Sequence, residues 1–231
     1  MKTNVMISGQ MRSFDLCWPN QYWMVYRHLD DPHFYVSVAD DEDAGKAELL
    51  WQRFEKARVH IEVVKQPELP EPKNVAFSGP YGPSSKPQAI LRQFWHLNRV
   101  WEPFRDINAI EDGTIFLRIR PDLWFHFFEQ LPTLPSEFAA TPWWSRWGGV
   151  NDRIAVLGRA AAQRYFTTFE RIDQMLSEGA PLHPESLLAE SLWSGGFQVQ
   201  PLQAWFSTVR KNGTAIPPDP QAVDIVDMLY Q

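Results

Sequence analysis

The sequence predicts a single-domain α/β protein with a mostly parallel β-sheet flanked by helices. Apolar strand segments alternate with helical segments over the first 64 residues, at a spacing typical of parallel sheets. The composition is that of a globular protein, with 44% hydrophobic and 22% charged residues. A chain of 231 residues is long enough to bury one sizeable core.

Strand and helix signals follow one another in the N-terminal part of the chain. Strands are predicted where short apolar runs end at Gly or acidic residues, and helices where longer segments follow a capping residue. Ser13 occupies the N-cap position of the first predicted helix. We predict a strand at 4–8, a helix from Ser13 to about residue 29, a strand at 34–39, a helix at about 42–56 and a strand at 59–64.

The carboxyl ends of these strands define the expected functional edge of the sheet. Ligands of parallel α/β sheets bind beyond the carboxyl ends of the strands. Ser8 and Gly9 follow the first strand, and Asp40 and Asp41 follow the second. Gly9 allows a ligand to approach the backbone closely, and Arg12 adds positive charge nearby. We expect these residues beside a ligand.

Residues 65–87 are rich in Pro and contain two Gly, which argues against regular structure. A loop this long is typical of a binding loop or lid, so we expect it to cover the site; a passive surface loop is the alternative. The following helix, at about 88–101, has an apolar stripe on one face and Gln88 and Arg92 on the other. That second face is either solvated or, at its N-terminal part, turned toward the ligand.

The segment 114–120 is predicted to be the central strand. Because side chains alternate along a strand, Arg118 and Arg120 lie on one face, and Asp122 roughly continues the charged row. Two guanidinium groups on an apolar strand are costly to bury unless anions pair with them. A diphosphate is one such anion, with Mg²⁺ or Mn²⁺ on Asp122. An internal Arg–Asp salt-bridge network is the alternative.

The second half of the chain continues the alternation of strands and helices. The tail after Pro217 is rich in Pro and Asp, and we expect it to wrap the surface. In chain order we note the apolar segment 138–140 and predict a strand at 153–157, a helix at about 159–177, a helix at about 184–194, and short strands at 197–200 and 205–210.

Three groups in this half are candidate site residues. The chain has 11 Trp, and Trp143, Trp144 and Trp147 cluster beside polar residues and Gly. Their rings either fill the core or stack on a sugar or nucleobase. Asn151 and Asp152 either accept sugar hydroxyls or stabilise a turn. Glu185 is either a base or sugar-hydroxyl acceptor, or a first-turn acid after Pro184.

Several functional classes are excluded or disfavoured. The net charge of −6 argues against binding nucleic acid or anionic membranes. The one cysteine, Cys17, excludes a disulfide framework and a cysteine-built zinc site. No apolar run approaches the roughly 20 residues of a membrane span, and no signal peptide is recognised. A Walker loop, Gly-x-Gly-x-x-Gly, His-Glu-x-x-His and Gly-x-Ser-x-Gly are absent from the sequence. We expect a soluble cytoplasmic protein.

The order of these motifs resembles GT-A-type glycosyltransferases of bacteria and viruses, which use nucleotide-sugar donors, often in surface-polysaccharide biosynthesis. The resemblance spans about residues 4–200. The segments that carry it are Ile-Ser-Gly-Gln-Met-Arg (7–12), the helix at 88–101, Arg-Ile-Arg-Pro-Asp (118–122), Gly-Val-Asn-Asp-Arg (149–153) and His-Pro-Glu (183–185).

The resemblance implies a Rossmann-like nucleotide-binding half at 1–125 and an acceptor half with the tail at 126–231. It places Ser8, Gly9 and Arg12 near the nucleotide and Asp122 at the metal-binding motif. Asn151 and Asp152 would face the donor sugar or acceptor, with Glu185 nearby. The usual Asp-x-Asp is here Arg120-Pro121-Asp122. Strict dependence on Mn²⁺ or Mg²⁺ is therefore in doubt, since Arg118 and Arg120 offer the leaving diphosphate positive charge themselves.

The predicted function is a hexosyltransferase-like glycosyltransferase that moves a sugar from a nucleoside-diphosphate donor to a hydroxyl acceptor, such as a glycan or lipid-linked glycan. Asp152 or Glu185 would accept the acceptor proton in an inverting reaction. The alternatives are a noncatalytic carbohydrate-binding protein on a degenerate transferase fold and a nucleotide-sugar hydrolase or phosphotransferase. The residues assigned to the donor are Ser8, Gly9, Arg12, Gln88, Arg92, Arg118, Arg120 and Asn151; those assigned to stacking are Trp143, Trp144 and Trp147.

Overall fold

The computed structural model describes residues 2–70, 72, 87–146 and 148–217. The strands and helices follow the predicted alternation closely. They are β1 (Thr3–Gly9), α1 (Phe14–Met24), β2 (Pro32–Ala39), β3 (Val59–Val64), α2 (Pro87–Val100), β4 (Ile115–Ile119), β5 (Leu123–Phe128), β6 (Phe138–Pro142), β7 (Ile154–Leu157), α3 (Arg159–Phe166), α4 (Ile172–Ser177), α5 (Pro184–Ser194), β8 (Gln198–Leu202), β9 (Ala204–Val209) and β10 (Ala215–Ile216).

The central sheet has seven strands in the order β3-β2-β1-β4-β7-β6-β8. The first four are parallel, β7 runs antiparallel to β4 and to β6, and β8 is parallel to β6. A smaller sheet has the order β10-β9-β5. The prediction of a mostly parallel α/β sheet flanked by helices is confirmed.

The strand register brings separate motifs to one edge of the central sheet. Met6 on β1 is level with Arg118 on β4, and Ile7 is level with Ile119. Because β1 and β4 are parallel, their carboxyl ends lie side by side. The turn after Gly9 therefore lies next to the turn that begins at Arg120.

The two faces of the central sheet carry separate apolar cores. Alternating side chains of β4 send Leu117 and Ile119 to the face covered by α1. Phe116 and Met6 pack on the other face, together with α2, α3 and α5. The predicted apolar stripe of α2 lies in this second core, where Trp101 stacks on Phe166 with ring centroids 5.4 Å apart.

Three helix predictions differ from the structure. The first helix ends at Met24 and is followed by a 3₁₀ turn, because Tyr26 turns inward and its hydroxyl donates to Gln21 Oε1 (2.8 Å). The predicted helix at 42–56 is a 3₁₀ segment, Ala44–Gln52, with helix-disfavouring Gly45 near its start. The predicted helix at 159–177 is divided by the 3₁₀ segment Thr167–Arg171.

Two further predictions lie outside the described residues, wholly or in part. Of the predicted loop at 65–87, residues 71 and 73–86 are not described, so its role as a lid stays a prediction. The tail from 218 onward also lies outside the described residues. Among the helices that are described, none has the length and apolarity that crossing a membrane requires.

Candidate functional site

A cleft of about 1000 Å³ lies at the carboxyl edge of the parallel strands. The loop after β1, the N-terminal half of α2, the turn after β4 and the β9–β10 hairpin line it. Ligands of α/β sheets bind at this edge, so the position supports a binding site. The sequence-predicted residues in the lining are Ser8, Gly9, Arg12, Arg92, Arg118, Arg120 and Asp122.

Arg120 is neutralised by two carboxylates. Its Nε lies 3.0 Å from Asp122 Oδ1 and its Nη2 lies 2.7 Å from Asp122 Oδ2, and Nη1 lies 3.3 Å from Asp152 Oδ2. Gln93 Nε2 donates to the same Asp152 oxygen (2.9 Å). Burial alone would lower the pKa of Arg120 and raise that of Asp152, but the ion pair shifts each pKa the other way. For Arg120, the structure therefore contains the internal Arg–Asp salt bridge that the sequence allowed as the alternative to a bound diphosphate.

Arg118, two residues earlier on the same strand face, has different surroundings. Its side chain is 1% exposed, and no carboxylate among the described residues forms an ion pair with it. One amino group donates to the carbonyl of Ile119, and its buried Nε has no hydrogen-bond partner. Burial lowers the pKa of Arg118. Asp152 and Asp122 oppose this shift from beyond ion-pair distance. A buried cation without an ion-pair partner at a cleft is suited to an anionic ligand.

Helix α1 holds the turn that carries Arg120 and Asp122. Gln21 Nε2 lies within 3.2 Å of the carbonyl oxygens of Arg120, Pro121 and Leu123. Asn20 exchanges two hydrogen bonds with the backbone of Phe125 (2.6 and 2.9 Å). Neither residue was predicted from the sequence, since their partners lie about 100 residues away. A polar Gln on the inner side of a predicted helix was the only signal.

His96 connects the floor of the cleft to the start of the Pro-rich segment. It is 1% exposed; Nδ1 lies 3.2 Å from Ser37 Oγ and Nε2 lies 3.0 Å from Gln66 Nε2. Burial and the neighbouring Arg118 lower the pKa of His96 to about 4, so the ring is neutral at pH 7. Its Nε2 therefore accepts from Gln66, and its Nδ1–H donates to Ser37. His96 is not among the residues predicted from the sequence.

The loop before β7 is packed onto the start of α5. Val150 N–H donates to the carbonyl of Glu185 (3.0 Å), and a Cβ on Gly149 would lie 2.2 Å from that oxygen. Glu185 is 4% exposed, and burial, together with Asp152, raises its pKa to about 8. His183 Nδ1 lies 3.4 Å from Glu185 Oε2. Asp152 and Glu185 are therefore close together, but neither is among the described residues that line the cleft.

Two predicted donor-binding residues form internal contacts. Asn151 is fully buried; its Nδ2 donates to the carbonyl of Trp144 (3.1 Å) and its Oδ1 accepts from the backbone N–H of Arg153 (3.0 Å). Gln88 donates to the carbonyl of Leu69 (2.6 Å) and is not among the described lining residues. Asn151 thus stabilises its own turn, the second of the two explanations that the sequence allowed.

The two candidate stacking residues that the structure describes are in different environments. Trp143 is 45% exposed, and the guanidinium of Arg146 lies 3.9 Å from its ring centroid. Trp144 is buried in the core against Trp205 and donates to the carbonyl of Ala204 (2.8 Å). Its ring is therefore not available to a sugar. Trp147 lies outside the described residues.

The residues around Asp122 do not fit a divalent metal ion as they stand. Both carboxylate oxygens of Asp122 accept hydrogen bonds from Arg120. Across the described ranges, no three His, Cys, Asp or Glu side chains cluster in a way that would hold a metal ion. A divalent ion at Asp122 would have to share the carboxylate with the guanidinium of Arg120, which already donates to both oxygens and would repel the ion.

The chain was compared with known proteins by sequence and by structure. No family model and no curated protein matches the sequence. The structure is similar to the crystal structure of the galactosyltransferase LgtC in complex with donor and acceptor sugar analogues. The TM-score is 0.50 at 12% identity, over 86% of this chain and 72% of that one. Similarity at this identity concerns the fold.

The structure is also similar to that of the apo form of the glycosyltransferase GlyE from Streptococcus pneumoniae TIGR4. Its TM-score is 0.44 at 12% identity, and the match covers 86% of this chain and 45% of the GlyE chain.

Proposed function

We propose that this protein, whose fold is that of GT-A-type glycosyltransferases, transfers a sugar from a nucleoside-diphosphate donor to a hydroxyl acceptor such as a glycan or lipid-linked glycan. One observation carries the proposal. Arg118 is a buried guanidinium that lines the cleft and has no carboxylate partner among the described residues. A site of this kind favours a ligand that brings its own negative charge.

The chemistry follows from the position of that charge. When the bond between sugar and diphosphate breaks, negative charge develops on the leaving diphosphate. Arg118 is already fixed and desolvated, so it stabilises this charge without reorganising. Gly9 has a φ of 111°, a backbone conformation that suits glycine, and turns the chain at the same edge of the sheet. In this proposal the diphosphate lies between the turn at Gly9 and Arg118.

Arg120 acts as a positioning residue in this proposal. Asp122 and Asp152 hold its guanidinium, and Gln93 holds Asp152. Gln21 fixes the backbone of the turn beneath it. This network keeps Arg120 in place beside the cleft. No step of the proposed reaction is assigned to a metal ion, because Arg120 occupies Asp122.

The acceptor side is supported less directly. Asp152 accepts from Arg120 and Gln93, and neither Asp152 nor Glu185 is among the described residues that line the cleft. The role of proton acceptor therefore stays a prediction for either carboxylate. A stacking role likewise stays a prediction for Trp143, the exposed member of its described cluster.

One observation favours a noncatalytic carbohydrate-binding protein as the second candidate. Arg120 is fully paired within the chain, as expected if the charged row serves to stabilise the fold. The two candidates differ at Arg118, because only a nucleotide-binding protein needs that unpaired guanidinium.

Thermal shift with UDP-, GDP-, CMP- and dTDP-sugars, each in EDTA and in Mn²⁺, tests the proposal. We expect one nucleotide class to stabilise the protein in both conditions. Nucleotide release should then be measured with and without a hydroxyl acceptor. Acceptor-dependent release supports a transferase, and acceptor-independent release indicates a hydrolase. If no donor stabilises the protein but a glycan still binds, the noncatalytic carbohydrate-binding protein is the remaining candidate. Arg118→Met is the matched variant that should lose the response.

A further inference from the structure

We propose that the β9–β10 hairpin supplies a second oxyanion site at the rim of the cleft, formed by Arg210 and Arg12. The anion belongs to a phosphate or carboxylate group on the acceptor. It is separate from the diphosphate assigned to Arg118, so this proposal assigns Arg12, which the resemblance placed near the nucleotide, to the acceptor instead. The inference deepens the proposed function, and rests on it for the identity of the acceptor as the source of the anion.

Two hydrogen bonds bring the backbone segments that carry Arg12 and Arg210 together. The carbonyl of Val209 accepts from Ser13 Oγ (2.7 Å), and the N–H of Val209 donates to the carbonyl of Asp122 (2.8 Å). Arg12 precedes Ser13 and Arg210 follows Val209, and both line the cleft. Arg210 therefore lies where the loop after β1 meets the turn after β4.

The hairpin that presents Arg210 is closed by its own hydrogen bonds. The N–H of Arg210 donates to the carbonyl of Thr214, and the N–H of Gly213 donates to the carbonyl of Arg210, both over 2.9 Å. Asn212 Oδ1 accepts from the N–H of Thr214 (3.0 Å). The turn is thus defined before any ligand binds, which reduces the entropy lost on binding.

The neighbouring lysines are paired with acids, but these two arginines are not. Lys46 Nζ lies 2.9 Å from Asp15 and 3.0 Å from Asp43, and it also donates to the carbonyl of Arg12 (2.9 Å). Lys211 pairs with Glu42 and Asp43.

Neither Arg12 nor Arg210 forms an ion pair with any residue in the described part of the chain. Both arginines line one cleft, and an oxyanion held there would accept hydrogen bonds from both guanidinium groups and offset their positive charge.

The sheet separates this pair from Arg118. Arg118 lies on the face covered by α2, where His96 is its neighbour. Arg12 precedes α1, and the hairpin reaches toward the same helix, where Gly213 approaches Leu16. The two groups of positive charge thus flank the sheet edge from opposite faces. That arrangement fits two anionic groups better than one diphosphate.

The experiment is a titration of inorganic phosphate, followed by thermal shift and calorimetry, on protein saturated with the nucleotide that stabilises it. Acetate replaces phosphate in a parallel arm, which distinguishes a phosphate from a carboxylate preference. We expect phosphate or acetate to stabilise the saturated wild type. Arg210→Ala should weaken that binding roughly tenfold, since a charge-assisted hydrogen bond contributes on this scale.

Lys211→Ala is the matched control, because it removes the same charge from the adjacent position. Its affinity for phosphate or acetate should stay within about twofold of that of the wild type. Nucleotide affinity should also be unchanged in Arg210→Ala. The inference is overturned if neither anion binds the saturated protein, if Lys211→Ala matches Arg210→Ala, or if Arg210→Ala weakens nucleotide binding to the same extent.

A test in a second variant distinguishes failure of this inference from failure of the proposed function. Arg118→Met removes the proposed diphosphate site and should retain anion binding that depends on Arg210. If that binding persists while no sugar nucleotide binds the wild type, the oxyanion site stands and the proposed function fails. If anion binding disappears with Arg118, the rim is not a separate site.

Discussion

Arg118 and Arg120 are two residues apart on one strand face, yet their surroundings give them opposite energetic roles. Arg120 has two carboxylate partners, which compensate for its removal from water. Arg118 is buried more deeply and has no ion-pair partner among the described residues. Its burial therefore opposes folding, and the charge is retained at a cleft where an anion would compensate for it.

Replacing Arg118 tests this contrast. Arg118→Met keeps the volume and removes an uncompensated buried charge, so we expect the melting temperature to be unchanged or higher and nucleotide binding to be lost. Arg120→Met is the control: it leaves Asp122 and Asp152 without their cation and should destabilise the fold by about 3–5 kcal/mol. Denaturant unfolding of both variants measures the difference. A large loss of stability in Arg118→Met would contradict the assignment.

Glu185 gives a prediction for pH dependence. Burial raises its pKa from 4.5 to about 8 in the folded protein. Between these values the folded state binds more protons than the unfolded state, so stability decreases as pH rises through this window. Glu185→Gln stays neutral and should not show this decrease. The melting temperatures of the wild type and Glu185→Gln should diverge by several degrees between pH 5 and pH 9, with that of the wild type falling relative to the variant at alkaline pH.

Glu190→Gln, on the same helix, is the matched variant and should follow the wild-type profile. Parallel profiles for wild type and Glu185→Gln would show that Glu185 ionises normally in the folded protein.

At the scale of elements, the functional edge depends on how loops are fastened to helices. Helix α1 holds the turn after β4 through Gln21, and α5 holds the loop before β7 through the carbonyl of Glu185. The second contact requires glycine, since a Cβ on Gly149 would lie 2.2 Å from that carbonyl oxygen. The loop carries Asp152 to Arg120, so its packing determines whether the ion pair forms.

Gly149→Ala should therefore destabilise the protein by more than about 3 kcal/mol, because backbone cannot move aside as a flexible side chain does. Gly45→Ala is the control; its added Cβ would have no neighbour within 4 Å, so we expect less than about 0.5 kcal/mol of destabilisation. Urea unfolding measures both. Equal stability of the two variants would show that the loop shifts without penalty.

At the scale of the whole molecule, a chain with a net charge of −6 gathers cations at one cleft. Arg12, Arg92, Arg118 and Arg210 all line it. The acidic remainder repels anions at a distance, and the cleft attracts them within a Debye length. The affinity for an anionic ligand should therefore decrease as ionic strength rises, as it does for a basic protein.

Raising NaCl from about 0.05 M to about 0.5 M should weaken binding of the stabilising nucleotide several-fold, mainly through a slower association rate. Intrinsic tryptophan fluorescence in stopped flow provides both rate constants. Binding that is insensitive to salt would indicate that Arg92 and Arg118, the two of these arginines not assigned to the second anion, do not face the nucleotide.

The order of elements was predictable because it depends on local patterns. Strand alternation placed Arg118, Arg120 and Asp122 in one row, and the period of α2 predicted its buried stripe. The predicted helix at 42–56 and the unbroken helix at 159–177 were wrong, because local propensity near 3₁₀ segments is weak and packing decides.

The sequence by itself determined the α/β class, the edge of the sheet where the cleft lies and the charged row at that edge. Only the tertiary structure decided which arginine is neutralised and which has no ion-pair partner among the described residues. It also decided that His96 and Arg210 line the cleft and that Gln21 holds the turn beside it. The physical reason is sequence separation: Asp152 reaches Arg120 from 32 residues away and Val209 reaches Ser13 from 196 residues away. Hydrophobic periodicity does not identify such long-range pairs.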